Sequence, residues 1–261
     1  MAINSIPSKI KHYLDLIRFT KPIGFSLLFW PCWFALALLP KNPFEYFKWY
    51  CIFFLGSFLM RSVGCIVNDL IDINLDKIVK RTSNRPLANG SIKKIEAIIL
   101  LILLSSFSFI ILILFNFKAI IVGLLSIPLI ILYPFMKRFT YWPQLFLGIV
   151  FNWGVLITAI QFYEKISINF ILLYIGCIFW TLAYDTIYAY QDRKDDIKNN
   201  IKSTAVLFGN LGKKYVLSFY IIFFIIIGYI GFLNSGSVAS IILIFLFIIT
   251  MIFFLNKWNI N

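Results

Sequence analysis

Eight long apolar stretches, separated by short polar connections, run through the 261-residue chain. We place them at residues 22–39, 48–68, 95–115, 119–136, 143–161, 168–190, 214–233 and 237–255. Each is close to the roughly 20 residues that an α-helix needs to cross the hydrocarbon core of a bilayer. The pattern therefore predicts an all-α fold, a polytopic membrane helix bundle with eight spans.

The first 21 residues follow a different pattern, because they are polar and basic and lack the apolar core of a cleavable signal peptide. Apolar side chains still recur there at helical spacing, at Ile6, Ile10, Tyr13, Leu14 and Ile17. This spacing favours an interfacial helix ahead of the first span, with a mobile tail as the alternative. Little room remains for a soluble domain, so we expect one integral-membrane domain over residues 1–261.

The net charge of +13 would suggest a nucleic-acid partner if the basic residues were spread over one soluble surface. They are instead concentrated in alternate connections. Of the 24 Lys and Arg, 19 lie in residues 1–21, 69–94, 137–142, 191–214 and 256–261. Cytoplasmic loops of membrane proteins hold such an excess of Lys and Arg. We therefore place these segments in the cytoplasm and expect membrane lipid, with no nucleic acid, around the protein.

Acidic residues are rare and gather in two places. Seven of the eleven Asp and Glu lie at the cytoplasmic ends of the second and sixth spans, at Asp69, Asp72, Asp76, Asp185, Asp192, Asp195 and Asp196. Helical spacing puts two sets on one face each: Arg61, Asn68, Asp72 and Asp76, and then Asp185, Tyr188, Asp192 and Asp196. Acids near membrane depth are costly and suggest a functional site.

Like charges on one helix face repel each other, so a positive partner must offset them. Salt bridges are the simplest possibility, to Lys77, Lys80, Arg81, Arg193, Lys194 and Lys198. A second is Mg²⁺, which takes oxygen ligands and is usually held by one or two carboxylates plus substrate phosphates. A third is an ion-coupled transporter. Transporter charges, however, lie near the midplane of the membrane, and these lie at one edge.

Four motifs resemble those of known proteins. "GCIVNDLIDINLDKIVKRTSNRPLANGSI" and "YDTIYAYQDRKDDIKNNIKSTAVLFG" resemble the two aspartate-rich motifs of the UbiA superfamily of intramembrane prenyltransferases. "RFTKPIGFSLLFWPCWFAL" and "YPFMKRFTYWPQLFLG" are similar to the 4-hydroxybenzoate polyprenyltransferase branch of that superfamily. The resemblance runs from about residue 14 to residue 255.

The resemblance implies transfer of a long polyprenyl group from polyprenyl diphosphate to the 3-position of 4-hydroxybenzoate, with release of pyrophosphate, in ubiquinone biosynthesis. It implies Mg²⁺ as the cofactor, with Asp69 and Asp195 in support of its ligands. The implied ligands are Asn68, Asp72, Asp76, Asp192 and Asp196. The implied catalytic residues are Asp72, Asp76, Asp185, Tyr188, Asp192 and Asp196.

Basic residues are expected around the diphosphate, with anionic lipid headgroups as their alternative partners. The candidates are Arg61, Lys80, Arg81, Arg85, Lys137, Arg138 and Lys202. Arg18 or Lys21, just before the first span, is the expected partner of the acceptor carboxylate. Asp185 is a candidate to accept the phenol or ring proton.

One departure from the family stands out, because its members usually have nine spans and this sequence ends after the eighth. We therefore expect the ninth helix to be missing, with all catalytic motifs present. An inactive truncated form and a related enzyme acting on another aromatic acceptor are the alternatives. The expected location is the bacterial inner membrane. There, the active site would face the cytoplasm, and helical cytoplasmic loops would cap a central cavity that opens sideways to lipid.

Overall fold

A computed structural model describes residues 7–40, 42–163, 165–237 and 239–258, and these ranges contain α-helices and short 3₁₀ turns but no strand. Ile6, at the start of the predicted interfacial helix, lies outside the described residues. The α-helices, in chain order, are α1 (Ser8–Leu16), α2 (Ile23–Ala37), α3 (Phe47–Ile71), α4 (Ile73–Ile78), α5 (Lys94–Leu112), α6 (Phe117–Leu132), α7 (Met136–Phe139), α8 (Pro143–Phe151), α9 (Trp153–Phe162), α10 (Ile168–Ala189), α11 (Arg193–Lys198), α12 (Thr204–Phe208), α13 (Gly212–Ser235) and α14 (Ala239–Lys257).

The predicted membrane bundle is confirmed. Within the described ranges, six helical segments are long and apolar enough to cross a bilayer, and the two shorter apolar helices, Ile23–Ala37 and Ile242–Lys257, correspond to the first and last predicted spans. The N-terminal segment contains the helix α1, whose Leu16 is fully buried. Its position at the membrane interface stays a prediction.

The fifth predicted span is two helices rather than one, because the chain breaks at Asn152 between α8 and α9. Asn152 is fully buried, and its side-chain amide donates to the carbonyl of Gly148 at 2.7 Å and to Oγ1 of Thr181 at 2.9 Å. A buried amide that binds a carbonyl one turn back competes with regular helix geometry. Periodicity alone carried no sign of this break.

Both acidic stretches also lie across helix breaks. Helix α3 ends at Ile71 and α4 begins at Ile73, so Asp72 stands between them. Likewise α10 ends at Ala189, and Asp192 precedes α11. Only Asp76, Asp195 and Asp196 therefore lie on the short helices α4 and α11, whereas the sequence suggested one continuous helical face for each set.

The packed centre of the bundle lies between α2, α9 and α10, where Cys32, Ala35, Val155, Leu173 and Cys177 are buried together. Helix α10 packs along α13 and α8, and α13 packs along α14. Helix α3 packs against α2 on one side and α5 on the other. This arrangement leaves a space between α3, α6 and the ends of α8 and α10, into which the acidic stretches face.

Candidate active site

A cavity of about 1620 Å³ occupies that space. One end lies among the connections that follow α3 and α10, and the other reaches Phe53 near the start of α3 and Phe115 after α5. Its upper part is lined by charged side chains and its lower part by apolar ones. A cavity that is charged at one end and apolar along the rest of its length can bind an amphipathic substrate.

Most of the predicted site residues line this cavity. They are Arg18, Lys21, Arg61, Asn68, Asp76, Arg81, Arg85, Asp185, Tyr188, Asp192, Asp196 and Lys202. Four predicted residues do not line it, namely Asp72, Lys80, Arg138 and the supporting residue Asp195. Helical spacing could not single out Asp72 or Lys80, because Asp72 lies at the break between α3 and α4 and Lys80 follows the end of α4.

Two arginines bind the acids of the first motif. Asp69 is almost fully buried and accepts hydrogen bonds from Arg18 at 2.9 and 2.7 Å and from Arg85 at 3.0 Å. Arg85 also donates to both carboxylate oxygens of Asp76, at 3.0 and 2.8 Å. Asp69, which the sequence placed in a supporting role, is therefore a structural centre of this motif.

Asp72 is buried behind the cavity wall and does not line the cavity. Its carboxylate is buried and forms ion pairs with Lys137 and, at 3.6 Å, with Arg138. Its Oδ1 has no hydrogen-bond partner within the described part of the chain. Asp72 thus retains an unsatisfied oxygen, and Lys137, which also lines the cavity, links it to the site.

The second acidic motif meets the first across the mouth of the cavity. Arg81 donates to both oxygens of Asp192, at 2.7 and 2.5 Å, and to the hydroxyl of Tyr188 at 3.1 Å. Its guanidinium also lies 5.1 Å from the centre of the Tyr188 ring. Beside this pair, the backbone N–H of Lys80 donates to Asp195 at 3.3 Å. The two connections therefore close over the cavity together.

Burial raises the pKa of two carboxyl groups in these connections. The pKa of Asp196 rises to about 6 because the group is buried, while a hydrogen bond from Ser203 at 3.1 Å opposes the shift. Burial also raises the pKa of Asp76, against the favourable charge of Arg85. Both carboxylates would be stabilised by an additional cation, because burial penalises their charged forms.

A second group of polar side chains lies deeper in the membrane. Arg61 precedes Asn68 by two helical turns, about 10 Å, and Asp185 precedes Asp192 by the same number of residues. Tyr133 and Tyr184 line the same part of the cavity. The Nε of Arg61 is buried without a hydrogen-bond partner in the described residues, and its guanidinium lies 5.5 Å from the Phe151 ring centre.

Tyr133 and Tyr184 are site residues that the sequence reasoning missed. Each was visible in a quoted motif, since Tyr133 opens "YPFMKRF" and Tyr184 opens "YDTIYA". Tyrosines are common in membrane helices, so nothing distinguished these two before the fold brought them to one cavity.

The oxygen donors of the cavity can hold a divalent cation such as Mg²⁺ only if a bound substrate supplies further oxygen ligands. Among the residues described, no three His, Cys, Asp or Glu side chains stand close enough to hold a metal ion alone. The cavity offers carboxylate and amide oxygens, from Asn68, Asp76, Asp192 and Asp196. Mg²⁺ prefers oxygen ligands and completes its shell with phosphate oxygens and water. The residues therefore fit Mg²⁺ that arrives together with a diphosphate.

Comparison with known proteins agrees with this geometry. A family model described as the UbiA prenyltransferase family matches residues 28–261. The chain belongs to the UbiA prenyltransferase family. With its apolar helices, it is an integral membrane protein.

Two curated UbiA relatives illustrate the similarity in sequence. A mitochondrial 4-hydroxybenzoate polyprenyltransferase of Caenorhabditis elegans is 44% identical over 219 residues, covering 83% of this chain and 62% of the relative. A 4-hydroxybenzoate octaprenyltransferase of Coxiella burnetii is 43% identical over 205 residues, covering 78% and 71%. The chain thus spans less than two thirds of the nematode protein.

Solved UbiA structures share the fold. A UbiA homolog from Aeropyrum pernix K1 superposes with a TM-score of 0.72 at 20% identity, covering 96% of this chain and 89% of that one. A homolog from Archaeoglobus fulgidus, bound to GPP and Mg²⁺, gives 0.68 at 18% identity, covering 95% and 88%. The same homolog was also solved with Cd²⁺. Divalent metal binding is therefore a property of solved members of this fold.

Proposed function

We propose that the protein transfers a polyprenyl group from polyprenyl diphosphate to the 3-position of 4-hydroxybenzoate and releases pyrophosphate, as a step of ubiquinone biosynthesis. The observation that carries the proposal is the pairing of Arg81 with Asp192, which joins both acidic motifs at the mouth of a deep apolar cavity. The names of the relatives that are 43 and 44% identical support 4-hydroxybenzoate as the acceptor.

The diphosphate would bind at the charged mouth of the cavity. Mg²⁺ would be held there by the ligands Asn68, Asp72, Asp76, Asp192 and Asp196, and it would stabilise the negative charge that grows on the departing pyrophosphate. Arg81, Arg85 and Lys202 line the same mouth and supply positive charge for the outer phosphate oxygens. Participation of Asp72 requires its carboxylate to leave Lys137, which would then be available to the diphosphate.

The aromatic acceptor would bind deeper in the cavity than the diphosphate, beside Arg61 and Asp185. Arg18 is already bound by Asp69, whereas Arg61 lacks an ion-pair partner within the described residues. A guanidinium that makes no ion pair and whose Nε is buried without a hydrogen-bond partner is a suitable counterion for a benzoate carboxylate. We therefore assign the carboxylate to Arg61 in place of Arg18 or Lys21. Asp185, at the same depth, would accept the proton that the phenol or the ring carbon releases.

Water must be kept from the allylic cation that forms when the diphosphate departs. The cavity contributes by enclosing the prenyl chain in apolar side chains, while the Arg81–Asp192 pair closes the mouth. We place this mouth on the cytoplasmic side of a bacterial inner membrane, because the Lys- and Arg-rich connections lie at that end.

The proposal is tested with membranes that contain the protein, radiolabelled 4-hydroxybenzoate, Mg²⁺ and octaprenyl diphosphate. We expect a labelled lipid that disappears when the metal is chelated. The same assay with homogentisate or a hydroxynaphthoate in place of 4-hydroxybenzoate tests the acceptor. Product from one of these and none from 4-hydroxybenzoate would refute the acceptor assignment. Absence of product with every acceptor would refute prenyl transfer.

A further inference from the structure

A third connection, over residues 133–142 between α6 and α8, contacts both acidic motifs. The side chain of Lys137 binds the carboxylate of Asp72 in the first motif. The backbone carbonyl of Lys137 accepts a hydrogen bond from the backbone N–H of Lys202, which follows the second motif, at 2.9 Å. The Lys202 ammonium donates to the carbonyl of Phe139 at 3.1 Å. This connection therefore belongs to the same site as the two motifs.

Gln144 lies directly after this connection, in the first turn of α8. It is only 6% exposed, and it lines the cavity. Its Oε1 accepts a hydrogen bond from the backbone N–H of Thr204 at 3.0 Å. Since an amide oxygen accepts and an amide NH₂ group only donates, this contact fixes which way round the side chain lies.

The NH₂ group of Gln144 is left without a protein partner. Within the described residues the side chain makes no hydrogen bond through Nε2, and Nε2 is not one of the fully buried polar atoms that lack a partner. The nitrogen is therefore in contact with free space, which beside Gln144 is the cavity. The fold thus presents two amide N–H donors to a ligand in the cavity, on a side chain whose orientation is already set.

The neighbours of Gln144 indicate which part of a substrate these donors would meet. Ser203 directly precedes Thr204, and its hydroxyl donates to the carboxylate of Asp196 at 3.1 Å. Gln144 is therefore linked to the acidic end of the cavity, through two adjacent residues. The diphosphate is the group expected at that end, whereas the acceptor carboxylate is assigned to Arg61.

We infer that Gln144 is a further diphosphate-binding residue, whose side-chain NH₂ group donates to a diphosphate oxygen while its Oε1 stays bound to Thr204. This inference rests on the proposed function and deepens it. A neutral donor suits a position linked to Asp196, because a cation there would pair with the carboxylate that the metal needs. Hydrogen bonds to charged acceptors are stronger than those between neutral groups, so one amide contributes measurably to binding.

A purely structural role is the competing explanation, because the first N–H groups of a helix such as α12 lack partners within that helix. Two substitutions separate the roles. Gln144→Met removes the donor and the bond to Thr204 together. Gln144→Glu keeps an oxygen for the Thr204 N–H, but the ionised carboxylate at pH 8 cannot donate.

Gln161 provides matched controls. Its Oε1 accepts from the backbone N–H of Asn116 at 2.8 Å, the same arrangement as at Gln144, and it does not line the cavity. Gln161→Met and Gln161→Glu therefore repeat both changes away from the site. The measurement is equilibrium binding of labelled inorganic pyrophosphate to the purified full-length protein in detergent with Mg²⁺ at pH 8, which requires neither prenyl chain nor acceptor.

We expect Gln144→Met to weaken pyrophosphate binding by about 10- to 100-fold and Gln144→Glu to weaken it at least as much. Both controls should stay within about twofold of the wild type. Wild-type binding by Gln144→Glu beside weak binding by Gln144→Met would reduce Gln144 to a structural residue and overturn the inference. Wild-type binding by both variants, with a raised KM for the acceptor, would overturn it in favour of a bond to the acceptor.

The same measurement separates this inference from the proposed function. If the wild-type protein binds pyrophosphate through Gln144 but transfers no prenyl group to any acceptor, the proposed function fails and the diphosphate contact stands. If the wild-type protein binds no pyrophosphate in the presence of Mg²⁺, the inference about Gln144 is overturned.

Discussion

The guanidinium of Arg81 binds both carboxylate oxygens of Asp192, at 2.7 and 2.5 Å, although 111 residues separate the two in the chain. This pair joins the connection after α3 to the connection after α10 above the cavity. The first acidic motif therefore supplies a cation for the second. Removing one partner should affect the whole site, because the remaining charge would be left partly desolvated.

Replacing Arg81 by alanine should lower the rate of prenyl transfer by about 10- to 100-fold, the range expected for loss of charge-assisted hydrogen bonds. The effect should be visible in kcat and in KM for the prenyl diphosphate. Lys80→Ala is the control, because the Lys80 side chain is exposed and does not line the cavity. Equal activity in the two variants would contradict a role for Arg81 at the mouth.

The position of Arg61 can be tested through a glycine on the neighbouring helix. A Cβ atom at Gly24 would lie 2.6 Å from Nε of Arg61. Gly24→Ala should therefore displace the guanidinium and raise KM for the aromatic acceptor by about 10-fold, an effect of about 1.4 kcal/mol. Gly64→Ala is the matched control, because a Cβ atom there meets nothing within 4 Å. An unchanged KM in Gly24→Ala would argue against Arg61 as the acceptor site.

The raised pKa of Asp196 predicts an acidic limb in the activity profile at low Mg²⁺. The carboxylate must be ionised to bind a cation, so activity should fall as the pH drops through about 6. Ser203 favours the ionised form by its hydrogen bond. Ser203→Ala should raise this pKa further and move the limb to higher pH by about 0.5 to 1 unit.

The control for that profile is Ser83→Ala, since the Ser83 hydroxyl donates to the carbonyl of Lys80 and makes no bond to Asp196. Initial rates between pH 5 and 8 at limiting Mg²⁺ provide the measurement. A limb that stays in place in Ser203→Ala would show that another group controls it.

The break between α8 and α9 predicts a stability effect. Thr181→Ala removes the interhelical hydrogen bond from Asn152 and should lower the free energy of unfolding by about 0.6 kcal/mol, with about 1.7 kcal/mol as an upper value. Thr250→Ala on α14 loses only a hydroxyl bonded within its own helix, to the carbonyl of Leu246, and should have less effect. Thermal unfolding in detergent compares the two, and equal losses would contradict the interhelical contribution.

The sequence was sufficient to predict the membrane spans, because a helix that crosses the membrane needs only a long apolar run. It also identified the two acidic motifs as partners, and Arg81 does meet Asp192. It could not separate Asp72 from Asp76, because both fit the same helical spacing. Their different directions arise from the break at Asp72 and from Lys137, a residue 65 positions away.

Other features depended on contacts that no local pattern contains. Asp69 is central because Arg18 and Arg85, on two different segments, both bind it. Of the predicted site arginines, Arg61 is the one whose buried Nε has no hydrogen-bond partner among the described residues, and only the fold shows this.

The most direct test of the central account, that the two acidic motifs form one site, is the rate of labelled-product formation by Asp76→Asn, Asp192→Asn and the double variant. Residues that act as one unit have strongly non-additive effects on catalysis. We predict a loss of at least about 100-fold in each single variant and little further loss in the double variant. Wild-type activity in either single variant, or losses that multiply in the double variant, would contradict a shared site.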